Sequence, residues 1–494
     1  PPSPTAGARA HSHSWPATPQ LRSSSPPPAA GAGAARAAPG KEEFKAPDAA
    51  EVLEIARTQN LYKSNLFHLQ IEELLREMAP RTSQPQVEAV LRGLRGVLEG
   101  LRPRRIPEDF AAEFPQLHFH QQQPFPFDFA PPKRIDVVGS FLLGTCARAE
   151  ASADVAVEMP QGSFQSKDHL NFRYFDKRAA YVGEMHRQLA ALCAAAKPGS
   201  PLAGVVAEVG PLHGDPFKPC VTLRPAAPAA AVAAKGGGDA RWSVRLLPAW
   251  APELFPAAKL APDRNSVRSV AVGAQAAPGA ESAGALPPTA LYNSCLLEDG
   301  RMRAHLEVLH KALQRTPALR DAILLLKRWA AARNFLPRPS GACAFTPLSG
   351  FCLAALGAHA AQTASMAPSQ VSSYQLFKLA LSVLASTDWA AQRLTFGRAA
   401  ATPLTAEEAK AGGAHFYDAD GVANFFWRLG PFIGEIRREA QRALRLLDAE
   451  ADPFEAVFGL QGASPALSWD LTIRTRALGQ GALCPAHGPA AAGG

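Results

Sequence analysis

A glycine–serine pair and an aspartate fourteen residues on are the side chains of this sequence best placed to do chemistry. They are Gly139 and Ser140 in "VVGSFLLG", and Asp154 in "ADVAVEMP". A strand entering a Gly-Ser turn, with a carboxylate on the next strand, suits phosphoryl or nucleotidyl transfer. That reaction uses two divalent ions about 4 Å apart to clamp the attacking and leaving oxygens. Hard Mg²⁺ takes carboxylate oxygens, and two of them can come from one strand at i and i+2, because a period of two puts both on one face. Glycine in the turn lets the backbone approach a phosphate closely.

The second carboxylate position is Ala156, which has no lone pair to give. Glu158 shares the face but lies about 13 Å from Asp154 at about 3.3 Å per residue. A third ligand should come from a later strand, and "WSVRLLP" offers Ser243 and Arg245 there. A cation at that point repels Mg²⁺. The residues therefore support no metal and no cofactor, and leave Gly139, Ser140, Asp154 and Ala156 as vestigial positions. Asp154 is then expected to accept backbone N–H bonds from the Gly-Ser turn. Two rival readings stay open. One is a metal-dependent nucleotidyltransferase that recruits Glu158 or Asp136, and the other is a nucleotide-binding sensor without turnover.

Positioning these residues requires an α/β unit. "IDVVGSFLLG" reads as a strand, the turn and a short helix, "ADVAVEMP" as a strand, and "LNFRYFDKRAAYVGEMHRQLAALCAAA" as a long helix. "GVVAEVG", "CVTLRP" and "WSVRLLP" read as further short strands. The pattern then turns helical, through "MRAHLEVLHKALQRTP", "ALRDAILLLKRWAAARN", "PLSGFCLAALGAHAA" and "SSYQLFKLALSVLAST", to a last helix spanning "VANFFWRLGPFIGEIRREAQRALRLLDA". Arg437, Arg438, Arg442 and Arg445 lie in that helix and read either as an ordinary solvated face or as candidates for contact with RNA phosphates.

The resulting division is a low-complexity segment at 1–49, expected to be disordered, and a helical arm with a Pro-rich linker at 50–130. A degenerate nucleotidyltransferase-like domain follows at 131–285, a helical domain at 286–450, and the start of a third domain at 451–494. In the linker "FPQLHFHQQQPFPFDFAPP", His118 and His120 have no carboxylate or cysteine nearby, so packing is their expected use. Alanine-rich stretches at 225–240 and 271–286 read as inserted loops.

The charge of +8 and a pI near 9.2 permit a polyanionic partner, though no Lys/Arg-rich block stands out. Seven scattered cysteines without a CxxC pair read as reduced thiols and exclude a zinc knuckle. No apolar run reaches the ~18 residues of a membrane helix. The chain starts at Pro1, as a fragment or incomplete gene model would.

From about Ser64 to Arg474 the sequence resembles the Nrap (nucleolar protein six) family of the small-subunit processome. "LFHLQIEELLREM", "VVGSFLLGTCARAEASADVAVEMP", "KDHLNFRYFDKRAAYV", "PPTALYNSCLLED", "ALRDAILLLKRWAAARN", "SSYQLFKLALSVLASTD" and "LRLLDA" carry the resemblance, in the family's order. The family's D-V-A in place of a D-x-D pair is present as Asp154, Val155 and Ala156. The resemblance implies an α/β nucleotidyltransferase-like domain of mixed sheet and helices, followed by a helical domain like that of poly(A) polymerases and oligoadenylate synthetases. It further implies a non-catalytic scaffold in ribosome biogenesis. Such a scaffold acts in the nucleus and nucleolus with pre-ribosomal RNA, small nucleolar ribonucleoprotein and other processome assembly proteins, away from any membrane.

Overall fold

The computed structural model of the protein describes residues 65–78, 84–120, 126–147, 151–226, 242–268, 287–336, 348–449 and 452–459. The segment 1–49, nearly all of both alanine-rich stretches, and all of the last unit beyond Gly459 lie outside them.

Helical spacing of apolar residues builds the first elements. Helix α1 (65–78) buries Ile71, Leu74 and Met78, and helix α2 (Gln84–Glu99) buries Val87, Val90, Leu94 and Leu98. The two helices do not form one arm. α1 packs into the core of the helical half, whereas α2 belongs to the core of the sheet. The stretch expected as a linker also enters that core. Strand β1 (Arg104–Ile106) pairs antiparallel with β2 (Phe127–Phe129), with the short helix α3 (Phe110–Glu113) between them in sequence. Period-two alternation points Phe127 and Phe129 the same way, and each is only 1% exposed. Burying each ring contributes about 1.5–3 kcal/mol, which outweighs the loop tendency of the prolines around it.

The main sheet contains β3 (Arg134–Val138), β4 (Ala151–Glu158), β5 (Val205–Leu212), β6 (Asp215–Pro225) and β7 (Trp242–Ala249), in the order β3-β4-β7-β6-β5. β4 and β7 run parallel and the other pairings are antiparallel, so the sheet is mixed. One face carries Ala151, Ala153, Val155, Val157, Val244 and Leu246 into the core with helix α4 (Arg173–Ala194). The opposite face carries Asp154, Ala156, Arg245 and Leu247. Residues 139–144 form successive turns rather than the short helix expected after Gly139-Ser140, with Gly139 and Gly144 at positive φ.

Helix α5 (Ala290–Arg315) starts well before the expected "MRAHLEV" and is shared by both halves. Its Cys295, Leu296 and Leu297 join the sheet core, while Leu309 and Ala312 join the helical core. Midway lies Gly300, where an added Cβ would stand 2.3 Å from the Trp250 ring. Only glycine lets α5 lie this close to the end of β7.

The helical half follows with α6 (Leu319–Ala332), α7 (Gly350–Thr363) and α8 (Ser373–Ser386), the last begun by a Ser372–Gln375 capping box. A small sheet of β8 (Gln392–Thr395), β9 (Thr402–Pro403) and β10 (Phe416–Tyr417), with helix α9 (Ala406–Ala411), was not foreseen from sequence. The last predicted helix is shorter than expected, because α10 (Ile433–Asp448) begins only after Gly430 and Pro431. Proline lacks the N–H that a helix interior needs and is tolerated only in a first turn. Helix α11 (Phe454–Phe458) closes the described chain. Among the described residues no helix is long and apolar enough to cross a membrane.

Candidate functional site

Strand register decides the geometry of the Gly-Ser site. Val138, the last residue of β3, pairs with Asp154 of β4, and Asp154 pairs in turn with Arg245 of β7. The Gly-Ser turn therefore leaves β3 directly beside the Asp154 carboxylate. Gly139 has φ +75°, and a Cβ there would meet Asp154 Oδ2 at 3.0 Å. Glycine is required at this point both by conformation and by space.

Asp154 does not accept turn N–H groups as expected from sequence. Its Oδ1 accepts from Arg245 Nε at 2.7 Å and its Oδ2 from Arg245 Nη2 at 3.0 Å, a two-pronged pair that occupies both oxygens. The Asp154 charge is also the leading cause that raises the Arg245 pKa, so the guanidinium stays charged. Parallel register thus places a cation where a third metal ligand would have to stand.

The neighbouring positions are apolar and covered. Ala156 is 5% exposed and packs with Val138 and Ala249 beneath Met302 and Leu306 of α5. Leu247, one step across the sheet, lies against the same Met302 with Leu212 and Cys220. Asp136 is opposite Ala156, but its carboxylate is held by Arg134 at 2.8 Å and Arg303 at 3.5 Å. Among the described residues no group of three or more His, Cys, Asp or Glu could hold a metal ion.

The turn itself is tied to the helical half. Arg320 Nε donates to the Gly144 carbonyl at 2.8 Å, and the buried Lys327 Nζ donates to the Thr145 carbonyl at 2.6 Å. Each of these cations gives an N–H to a loop carbonyl, which fixes the turn against the helical half. The structure also reveals a buried ion network behind the site, which sequence reasoning missed. Lys218 of β6 reaches Glu298 at 2.6 Å and Asp299 at 2.9 Å on α5. Asp299 also accepts from Arg178 and from Tyr174 Oη, each at 2.8 Å, and Arg428 reaches Glu298 at 3.1 Å. Burial alone would make Glu298 a weaker acid, yet Arg428 and Lys218 hold it far below the usual carboxylate range. His213, beside this network, is pushed down to about 3 by burial and by Arg428 and Arg245. The only sequence signal for the network was isolated charges inside apolar runs, as in "DKRAAYV" and "SCLLEDG".

The remaining candidates are distributed as follows. His120 stacks on Phe172 and Phe217, with centroids 4.3 and 3.9 Å away, and the fold brings Asp176 to 3.3 Å from its ring, a carboxylate that is distant in sequence and was not expected there. His118 meets the edge of Phe217. The four arginines of α10 separate. Arg438, Arg442 and Arg445 are exposed at i, i+4 and i+7, whereas Arg437 Nε donates to the Ala385 carbonyl at the end of α8. Cys146, Cys193, Cys220, Cys295 and Cys352 are free thiols, while Cys343 and Cys484 lie outside the described residues.

Two family models match consecutive parts of this chain. Nrap protein domain 1 covers residues 104–315, and the Nrap protein PAP/OAS-like domain covers 318–460. The chain is 30% identical over 424 residues to human nucleolar protein 6, an alignment covering 83% of this chain and 34% of that one. It is 27% identical over 366 residues to the U3 small nucleolar RNA-associated protein 22 of Saccharomyces cerevisiae, covering 68% of this chain and 28% of that one. The chain thus spans about a third of the length of the curated relatives it matches. Among solved structures, the Cid1 poly(U) polymerase aligns with a TM-score of 0.43 at 13% identity, covering 80% of this chain and 98% of that one.

Proposed function

The chain belongs to the Nrap family, and from that premise we propose that it is a non-catalytic scaffold of ribosome biogenesis. In this reading it is a nucleolar component of the small-subunit processome, acting in early pre-ribosomal RNA processing with a small nucleolar ribonucleoprotein and other assembly proteins. Support for the setting comes from the names of its relatives, a nucleolar protein and a U3 small nucleolar RNA-associated protein.

The observation that carries the non-catalytic part is the Asp154–Arg245 pair. A hydrated divalent ion would have to displace a guanidinium already bonded to both oxygens. It would gain one carboxylate in return, where Mg²⁺ sites with protein ligands use several oxygens. Ala156 and Leu247 add none. The sensor reading meets a related obstacle, because Lys327 is buried against the Thr145 carbonyl.

Two measurements test the proposal together. Tagged protein expressed in cells should sediment with pre-ribosomal particles and recover U3-type small nucleolar RNA. Purified protein should add no labelled nucleotide to an RNA end in Mg²⁺ or Mn²⁺. Template-independent nucleotide addition abolished by Asp154→Asn would sink the scaffold reading. Absence from nucleolar particles would sink the processome assignment.

A further inference from the structure

We infer that two loops at one end of the sheet half, 166–173 and 257–268, form a contact surface for the phosphate backbone of RNA. The inference rests on the ribosome-biogenesis reading for the identity of the polyanion, and on the structure alone for the place.

No block of basic residues marks this surface in the sequence. The fold assembles it from Lys167, Arg173, Lys259, Arg264 and Arg268, all exposed. In these loops the opposing carboxylates are Asp168 and Asp263. Asp168 is buried and paired with Lys177 at 2.7 Å. Asp263 is exposed and, among the described residues, pairs with Arg264 alone, at 3.9 Å. Among the described residues Lys167, Arg173, Lys259 and Arg268 have no carboxylate partner. Five exposed cations thus face one exposed carboxylate. The two loops also share one local field, because Lys259 and Arg268 both act on the buried His169, whose pKa is lowered first by burial and then by these two cations.

The surface is held rigidly. Asn171 and Phe172 adopt φ of +55° and +64°, a conformation that non-glycine residues keep only when their surroundings impose it. Those constraints are visible. Asn171 N–H donates to the Ser266 carbonyl at 2.9 Å, and Arg268 N–H donates to Asn171 Oδ1 at 2.6 Å. Phe172 N–H donates to Tyr292 Oη, which itself donates to the His169 carbonyl at 2.8 Å. The Arg264 carbonyl accepts from Thr289 N–H and from Asn293 Nδ2, each at 3.0 Å. A fixed backbone carrying separated cations suits a repeating phosphate chain. Neither loop exposes a large apolar side chain among the described residues, the kind of anchor on which protein interfaces depend.

The test compares two charge-reversal triples in the whole chain. Lys259, Arg264 and Arg268 are changed to Glu in one, and Arg438, Arg442 and Arg445 of α10 in the other. Binding of a labelled mixed-sequence single-stranded RNA is followed by fluorescence anisotropy over a range of KCl concentrations. Loss of three phosphate contacts should weaken binding about tenfold or more near 0.1 M salt and reduce the salt slope by about 2, at roughly 0.7 per contact. The thermal midpoint should not move, since all three side chains are solvent-exposed. An unchanged affinity and slope in the loop variant overturns the inference. So does tighter binding of the wild-type chain to polyglutamate than to RNA, which would assign the surface to an acidic protein. Entry of the loop variant into nucleolar particles is scored separately. If RNA binding is unaltered while particles still form, this surface is wrong and the processome reading stands. If even the wild-type chain fails to enter particles, that reading fails on its own.

Discussion

Asp154→Asn should destabilise the protein measurably, because it leaves a partly buried guanidinium facing a neutral amide. The magnitude follows from exposure. The Arg245 side chain is 32% exposed and that of Asp154 is 17% exposed. Fully exposed pairs contribute about 0.2–1 kcal/mol, and breaking a fully buried pair costs about 3–5 kcal/mol. A two-pronged pair between these limits should cost about 1–2 kcal/mol when one charge is removed. For a unit of this size that lowers the thermal midpoint by about 1–3 °C. The assay is a double-mutant cycle in which Asp154→Asn, Arg245→Met and the double variant are unfolded in urea. A coupling energy of about 1–2 kcal/mol is expected, with the double variant more stable than the two single losses would add up to. Arg245→Met should not confer metal binding, since a lone carboxylate on a hydrated ion contributes little. A coupling energy near zero, with Asp154→Asn as stable as wild type, would refute the reasoning. It would mean that the carboxylate is not committed to Arg245 and is free to serve a metal.

Three further outcomes are expected. Gly300→Ala should lower stability by about 2 kcal/mol despite alanine's helix preference of about 1 kcal/mol. The new methyl meets a Trp250 ring fixed by its Nε1 bond to the Leu296 carbonyl, and overpacking dominates; a stabilised variant in chemical denaturation would show that α5 can shift. Acid should begin to destabilise the protein near pH 6.5, above the usual carboxylate range. Burial lowers His359 to about 4, and its Nδ1 accepts from Gly397 N–H, so the folded state keeps it neutral while the unfolded state protonates. This contribution is fully present above pH 6.5, is lost as pH falls towards 4, and amounts to about 3 kcal/mol at most. His359→Gln should flatten the dependence of the urea midpoint on pH between 6.5 and 5, and an unchanged slope contradicts the assignment. Finally, Ala156→Asp alone should yield no nucleotide addition, because Arg245 still neutralises the site. The Ala156→Asp/Arg245→Asp double variant should be destabilised in EDTA and regain stability in millimolar Mn²⁺. Equal stability with and without the ion would show that the three positions do not converge.

What the sequence disclosed, and what it hid, divides along physical lines. Alternation in "ADVAVEMP" and "WSVRLLP" was enough to place β4 and β7, and with them Asp154 and Arg245 on one face. That these two would bond could not be read, because it depends on parallel register between strands ninety residues apart. Phe127 and Phe129 were hidden by prolines on either side, although F-x-F has the period of a half-buried strand. The start of α10 was overrun because "VANFFWRL" is apolar enough to look helical, while Gly430 and Pro431 mark the real boundary. The four arginines of α10 looked equivalent by composition, and only the contact with Ala385 sets Arg437 apart. Glu298 and Asp299 showed only as charges beside an apolar run, and their pairing with Lys218 could not be read because it depends on a contact between distant elements.

The Asp154–Arg245 pair and the contact between the two halves are physically linked. Three carboxylates on Asp154, the Ala156 position and the Arg245 position would repel one another unless an ion lay between them, so that face would have to stay open and hydrated. With Arg245 neutralising Asp154, and with Ala156 and Leu247 apolar, the same face needs no ion. Met302 and Leu306 of α5 then pack directly on it. Closure brings Arg320 and Lys327 onto the carbonyls of the Gly-Ser turn, and Lys218 and Arg428 onto Glu298. The first three of these bonds join the sheet half to α5 or to the helical half, and the Arg428 pair joins the helical half to α5. The rival transferase reading requires a nucleotide to enter and leave beside Asp154, which such bonds would oppose. A scaffold has the opposite requirement, a fixed relation between surfaces that separate partners must recognise together. On the scaffold reading, the Asp154–Arg245 pair and the apolar Ala156 and Leu247 are therefore the features that permit this contact.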